Sequence, residues 1–351
     1  METSSPRTGD QPDAVAPAIS TGAVFFRRLG KVLLYGIGLL GLVWAFGAIV
    51  FDGVFGKGNF AVAVVWAVLA LAGLWRAKSG WRRLLVYGLA MTLVLAPWLM
   101  KRPSNDRDWA VEYSRIPVVD VAGDIVTVGN FRNFDYREGG EMIPRWETRV
   151  FHLSKLKGVD LFLNYWGSEY IAHPIFSFDF GDDGQMAFSV ETRREKGETF
   201  STFGGLYKLY ELIYLVGDER DFVRGRTNYR PDEDCYLYRL DIGPEKARQR
   251  FLEYVESLRK LHDHPRFYNV INANCTTAVR SQIAATEQGK LDWRLVLNGK
   301  LDEYLDARGL LAAKGVPLAE LKEKGHVDAA ARKADADPGF SKRIREGVPG
   351  F

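Results

Sequence analysis

An α+β domain carried behind three membrane-crossing helices is the fold class that this sequence predicts, and two observations predict it. Three uncharged apolar runs of 17 to 20 residues, Val32 to Phe51, Gly58 to Trp75 and Leu84 to Met100, crowd the first third of the chain. Each is about the length an α-helix needs to cross roughly 30 Å of hydrocarbon. The rest of the chain reads as short strand-like runs first and amphipathic helices afterwards, the pattern of segregated α+β architecture.

The amino-terminal tail, residues 1–23, is rich in Ser, Thr, Pro, Ala and Asp and is expected to be disordered and cytoplasmic. Residues 24–100 hold the three spans, with Trp44, Trp66, Trp75, Trp81 and Trp98 in and beside them as interfacial anchors. Orientation follows from the flanking charges. Arg27, Arg28 and Lys31 precede the first span, and Arg76, Lys78, Arg82 and Arg83 fill the second loop without an acid, so both are expected on the cytoplasmic side. The first loop, Asp52 to Lys57, carries one charge of each sign and fits the outer face. Three spans then deliver everything after Lys101 to the outside. No signal peptide is expected, because a polar tail of about thirty residues precedes the first apolar run and no small-residue cleavage site follows it.

Residues 101–110 form a polar linker, residues 111–310 the outer domain and residues 311–351 a charged, alanine-rich extension that either wraps the surface or returns to the membrane. Strands are expected at Ile116 to Val121, Ile125 to Val128, Thr148 to Leu153, Val159 to Tyr165, Ile171 to Phe180 and Met186 to Thr192, with Gly123-Asp124 and Gly181-Asp182-Asp183-Gly184 as turns. Pro244 opens an amphipathic helix through Ala247, Phe251, Leu252, Val255 and Leu258. Further helices are expected after Cys275 and from Trp293 to Leu305.

With 47 Lys and Arg against 44 Asp and Glu, the charge is near balance and forms no basic stripe of the kind nucleic-acid binding requires. There is no paired-cysteine zinc spacing and no glycine-rich phosphate loop, so neither a metal nor another cofactor is expected.

One position carries chemistry. Cys275 lies in Asn272-Ala273-Asn274-Cys275-Thr276-Thr277, ahead of a helical stretch. A cysteine in the first turn of a helix meets unpaired N–H groups and the positive end of the macrodipole, which favour the thiolate. Its other reading is a small buried residue at a helix start. A thiol nucleophile needs a base, and histidine titrates in the right range. His152 reads as a half-exposed strand residue, His262 and His264 as a solvated turn and His326 as an exposed residue of the extension. His173 sits among apolar residues of a predicted strand, Ile171 to Phe178, where water is excluded from one face.

An orienter for His173 is sought on the neighbouring strand, because Asp179, six residues along, lies about 20 Å away. Glu191 falls directly opposite His173 if the hairpin loop holds three residues, diagonally with five, and on the wrong face with four. A surface Glu beside Arg193 and Arg194 is the other reading of that residue. Asn272, Asn274 and the Cys275 N–H are candidate oxyanion donors. Cys235 offers a competing fate, a disulfide with Cys275 in an oxidising compartment. A histidine strand ahead of a helix-borne cysteine is the order of a circularly permuted papain-like fold.

Several segments match a known family: Gly129-Asn130-Phe131-Arg132-Asn133-Phe134, Tyr165-Trp166, Ile171-Ala172-His173, Phe188-Ser189-Val190-Glu191-Thr192-Arg193, Tyr210-Glu211-Leu212-Ile213-Tyr214 with Asp218-Glu219-Arg220-Asp221, and Asn274-Cys275-Thr276-Thr277. The outer domain resembles the Lnb N-terminal periplasmic domain family. The resemblance implies a permuted NlpC-like thiol fold in the periplasm of a bacterial inner-membrane protein, with Cys275 as nucleophile, His173 as base and Glu191 as third member. It further implies acyl transfer on a membrane lipid or lipoprotein substrate. The order of parts differs, since the family's lipoprotein enzymes place their membrane helices after the domain.

The expected activity is thus thiol acyl transfer or hydrolysis through a thioacyl-cysteine intermediate. A cysteine amidase or peptidase of the cell envelope is the alternative, and a non-catalytic envelope scaffold is a third.

Overall fold

The structure is a computed structural model that describes residues 21–137, 139, 141–271, 273, 292–295 and 298–351. The expected disorder of the tail therefore lies outside the described residues up to Ser20. The chain divides into two compact units, Met1–Met100 and Lys101–Phe351.

In the first unit, helices α1 (Thr21–Asp52), α2 (Asn59–Arg76) and α3 (Gly80–Met100) are each long and apolar enough to cross a membrane. Small residues sit where they meet. Ala45, Ala48, Ala63, Ala70 and Ala90 are buried, while the larger side chains face outward, as expected when lipid and not water surrounds the helices. Asn59 ties the first turnaround, accepting from the Phe55 N–H at 2.9 Å and donating to the carbonyls of Val50 and Gly53. Trp98 Nε1 donates to Asp52 Oδ2 at 2.8 Å, which pairs a polar atom at the end of α3 with one at the end of α1.

The second unit is built on one large sheet. Its strands are β1 (Val118–Ala122), β2 (Ile125–Arg132), β5 (Trp146–His152), β6 (Gly158–Trp166), β7 (Ala172–Asp179), β8 (Gln185–Arg193), β9 (Glu211–Gly217) and β10 (Glu233–Arg239); β3 (Asp135–Tyr136) and β4 (Met142–Ile143) form a separate hairpin. The order is β1-β2-β9-β8-β7-β6-β10, with β5 also on β2. From β9 to β10 every pairing is antiparallel. β2 and β9 join in parallel through Arg132 and Gly217. The register of β2 against β5 shifts between Val128 and Phe131, where Asn130 has φ 54°. Asn tolerates the left-handed region better than most residues, and its side chain donates to the Ile116 carbonyl at 2.9 Å.

The six strands expected from β-rich runs between turns are present, with ends shifted by no more than four residues. β9 and β10 were not anticipated as strands. All seven residues of β9 are buried, so no period-2 pattern marks it.

Both faces of the sheet are covered. On one, the helix Pro244–Asp263 lays Phe251, Tyr254, Val255 and Leu258 against Phe178, Phe188, Tyr214 and Val216. On the other, Phe162, Ile175, Ala187, Ile213, Leu215 and Leu237 meet Val327, Ala331, Phe340, Ile344 and Val348 of the carboxyl-terminal stretch. That stretch folds as three short helices, Leu318–Gly325, Asp328–Lys333 and Phe340–Arg343. It therefore wraps the sheet, the first of the two courses open from sequence. The helix expected from Trp293 to Leu305 is broken: single 3-10 turns at Trp293–Leu295 and Asn298–Lys300 precede a helix at Leu301–Ala307. The helix expected after Cys275 lies outside the described residues.

Candidate functional site

Strand parity gathers the site. The β7–β8 register runs from Asp179↔Gln185 to Ile175↔Ser189, and continued by two residues it sets His173 across from Glu191. The Phe180 N–H closes the hairpin on the Gly184 carbonyl, leaving the three residues Gly181–Asp183 as the turn. His173 and Ile175 of β7 then share a face with Ser189 and Glu191 of β8.

His173 is 6% exposed and Ser189 is 1% exposed. The imidazole Nε2 lies 2.7 Å from Ser189 Oγ and 3.0 Å from Glu191 Oε1. Ser189 Oγ donates to the same carboxylate oxygen at 2.7 Å. Behind the carboxylate stands Arg226, from the short helix Arg224–Thr227, with Nη2 at 3.4 Å from Glu191 Oε1 and Nη1 at 2.7 Å from Glu233 Oε2. A chain of polar groups, His173, Ser189, Glu191, Arg226 and Glu233, thus runs along this face of the sheet.

Burial pushes the Glu191 carboxyl up. The charge of His173, its hydrogen bond, Arg226 and the Ser189 hydroxyl outweigh that and hold it well below the ordinary carboxylate range. Glu191 is therefore an anion at neutral pH, able to fix one imidazole nitrogen and stabilise positive charge on the ring. The alternative of a surface Glu is not what the structure shows, because the side chain is only 19% exposed and faces His173.

Cys275, Asn272 and Asn274 lie outside the described residues. The segment leading to them is anchored: Tyr268 N–H bonds the Tyr210 carbonyl, Val270 N–H the Gly205 carbonyl, and Asn269 and Ala273 exchange backbone hydrogen bonds at 2.9 and 3.0 Å. Cys235 has a free thiol, 1% exposed, and burial raises its pKa well above the usual thiol value.

The remaining histidines sit elsewhere. His152 Nδ1 lies 2.7 Å from Asp183 Oδ2, and His262 is exposed beside Asp263. His326 stacks on Tyr236, with Nε2 2.9 Å from Asp328 Oδ2 and 3.2 Å from Asp234 Oδ1. This trio could gather around a cation, but its spacing is that of hydrogen bonds between the groups themselves. A cleft of about 380 Å³ lies between Tyr165, Trp166, Glu169, Asp234, Tyr236 and Lys322, and neither His173 nor Glu191 lines it.

Sequence reasoning missed Ser189 and Arg226. Ser189 had a signal, since it stands two residues from Glu191 on the same strand face. Arg226 had none, because a short buried helix brings it in from outside the hairpin.

No curated protein and no solved structure matches this chain. Residues 143–299 match the family described as the Lnb N-terminal periplasmic domain, a stretch that takes in His173, Ser189, Glu191 and Arg226. Together with the three helices ahead of it that are long and apolar enough to cross a membrane, this similarity over residues 143–299 to the Lnb N-terminal periplasmic domain supports a membrane-anchored protein facing the periplasm.

Proposed function

We propose that the protein is a thiol acyltransferase or hydrolase of the bacterial inner membrane, with a circularly permuted papain-like arrangement in its periplasmic unit. The observation that carries this is the contact of His173 Nε2 with Glu191 and Ser189. An imidazole whose one nitrogen is held by a buried anion presents the other in a fixed direction, the geometry a general base needs. Nδ1 of His173 takes the proton of Cys275, and the thiolate attacks the carbonyl of an ester or amide. Asn272, Asn274 and the Cys275 N–H stabilise the oxyanion. His173 returns its proton to the departing alcohol or amine, which leaves a thioester on Cys275. An amine or water then attacks the thioester, with His173 again accepting a proton, and releases the thiol.

A membrane tether favours a phospholipid or lipoprotein donor. Incubation of the full-length protein with acyl-labelled phospholipid, followed by intact-mass analysis, should show one added acyl group that is lost in Cys275→Ser. Subsequent addition of a lipopeptide amine distinguishes transfer from hydrolysis. Full turnover by Cys275→Ser would refute the thiol mechanism, and so would turnover with the label on another residue.

A further inference from the structure

Three segments of the periplasmic unit converge on one apolar surface: residues 101–104 (Lys-Arg-Pro-Ser), 199–208 (Thr-Phe-Ser-Thr-Phe-Gly-Gly-Leu-Tyr-Lys) and 266–271 (Arg-Phe-Tyr-Asn-Val-Ile). They are joined by real contacts. Val270 N–H bonds the Gly205 carbonyl at 2.9 Å, and Asn269 Nδ2 donates to the Leu206 carbonyl. Lys101 and Lys208 both lie over the Phe267 ring, and Lys208 Nζ donates to the Lys101 carbonyl at 3.3 Å. A Cβ on Gly205 would meet Val270 Cγ1 at 2.8 Å, so the two loops touch as closely as backbone permits.

Large apolar side chains on these loops point to solvent. Phe203 is 72% and Ile271 73% exposed, with Phe200 and Leu206 also exposed beside them. Four cations, Lys101, Arg102, Lys208 and Arg266, belong to the same segments, against Glu198 just ahead of the second and the buried Glu211, which accepts from the Ser104 N–H.

We infer that this surface docks on the bilayer, with Phe203, Leu206 and Ile271 inserted at the acyl boundary and the cations at anionic headgroups. Chain connectivity selects the membrane as occupant. Lys101 follows Met100, the last residue of an apolar helix long enough to span, so a surface in hydrogen-bonded contact with Lys101 stays near the point where the chain leaves the lipid. The sign of its charge is the one that attracts anionic lipid. Docking stands apart from the thiol chemistry.

The test uses full-length protein carrying Cys275→Ser, with Cys235 buried, in nanodiscs of mixed phosphatidylcholine and phosphatidylglycerol. Nitroxide labels are placed singly at Phe203→Cys, Ile271→Cys and, as a water-exposed control, Val150→Cys. Relaxation by oxygen relative to a water-soluble nickel chelate should be severalfold greater at 203 and 271 than at 150. Equal chelate accessibility at all three sites overturns the proposal. So does protection at 203 and 271 that vanishes in nanodiscs holding one chain, which would assign the surface to a second copy. Docking intact in this variant, with no acyl transfer by the chain that retains Cys275, would count against the thiol mechanism alone.

Discussion

The carboxylate of Glu191 lies 3.0 Å from Nε2 of His173, two side chains placed opposite each other by the register of one hairpin. Glu191→Gln keeps the shape and removes the charge. If His173 is the base, kcat should fall about 10²-fold, the usual scale for an outer partner of a catalytic group. The pH profile should move as well, because a neutral amide no longer favours the imidazolium. An unchanged rate with an unchanged profile would mean that the pair is only structural.

The same substitution has a stability consequence of defined sign. The Glu191 carboxyl is held below its unfolded value near 4.5, so its contribution is present above that pH and is lost as pH falls through the depressed folded value. Glu191→Gln should therefore show faster amide exchange across β7 and β8 at pH 7, with the difference from the native chain closing in acid.

Ser189→Ala should matter less. The hydroxyl bridges Nε2 and Oε1, and a hydrogen bond to a charged group is worth about 1.5 to 3 kcal/mol, but the two atoms also meet directly and keep part of that. A loss of no more than about tenfold in kcat is expected. In the double variant with Glu191→Gln the effects should be less than additive, since both act on one nitrogen.

How much of this was legible in sequence depended on which signals are local. The three spans are continuous apolar runs, and β5 to β8 are runs rich in strand-forming residues, several of them set off by turn clusters such as Gly181 to Gly184, so composition found them. β9 is buried on both faces and has no alternation to read. The His173 and Glu191 pairing hung on a turn length, which sequence narrows to a few values and only the backbone decides. Arg226 reaches Glu191 from a separate helix, and the carboxyl-terminal helices pack by contacts spread over Val327 to Val348. Neither leaves a spacing in the chain.

Burial pushes the Glu211 carboxyl up to about 7, against the opposing pull of Arg107 at 2.9 Å. A raised folded value means that its contribution is intact below about 4.5 and lost as pH rises towards 7. The periplasmic unit should lose no more than about 3 kcal/mol across that window from this group. Glu211→Gln should flatten the loss, read as amide-exchange protection of β9 at several pH values; an unaltered slope would locate the titration elsewhere.

Cys235 should be inert while the sheet is closed. Its thiol is buried among Leu237 and Val327 neighbours, and burial disfavours the thiolate. In Cys275→Ser, iodoacetamide should leave Cys235 unmodified under native conditions and alkylate it fully in denaturant. Rapid native alkylation would show that this face opens readily.

Arg345 decides whether the carboxyl-terminal helices are cover or appendage. Its guanidinium reaches Asp160 Oδ2 at 2.7 Å and Glu219 Oε1 at 2.6 Å, and both carboxylates are fully buried. Arg239 also pairs with Asp160, and Ser177 Oγ donates to Glu219, but neither replaces the lost cation between them. Breaking a buried pair by removing one partner costs about 3 to 5 kcal/mol, because the remaining charge is left in a medium that solvates it poorly. Arg345→Ala should therefore raise amide exchange in Val327 to Val348 and, through Asp160, in β6 and β7 together. Increased exchange confined to the last helices, with β6 unaffected, would mean that the sheet holds without them. Arg345→Lys separates charge from geometry: one ammonium can meet one carboxylate well but cannot span both as the planar guanidinium does, so it should recover only part of the protection.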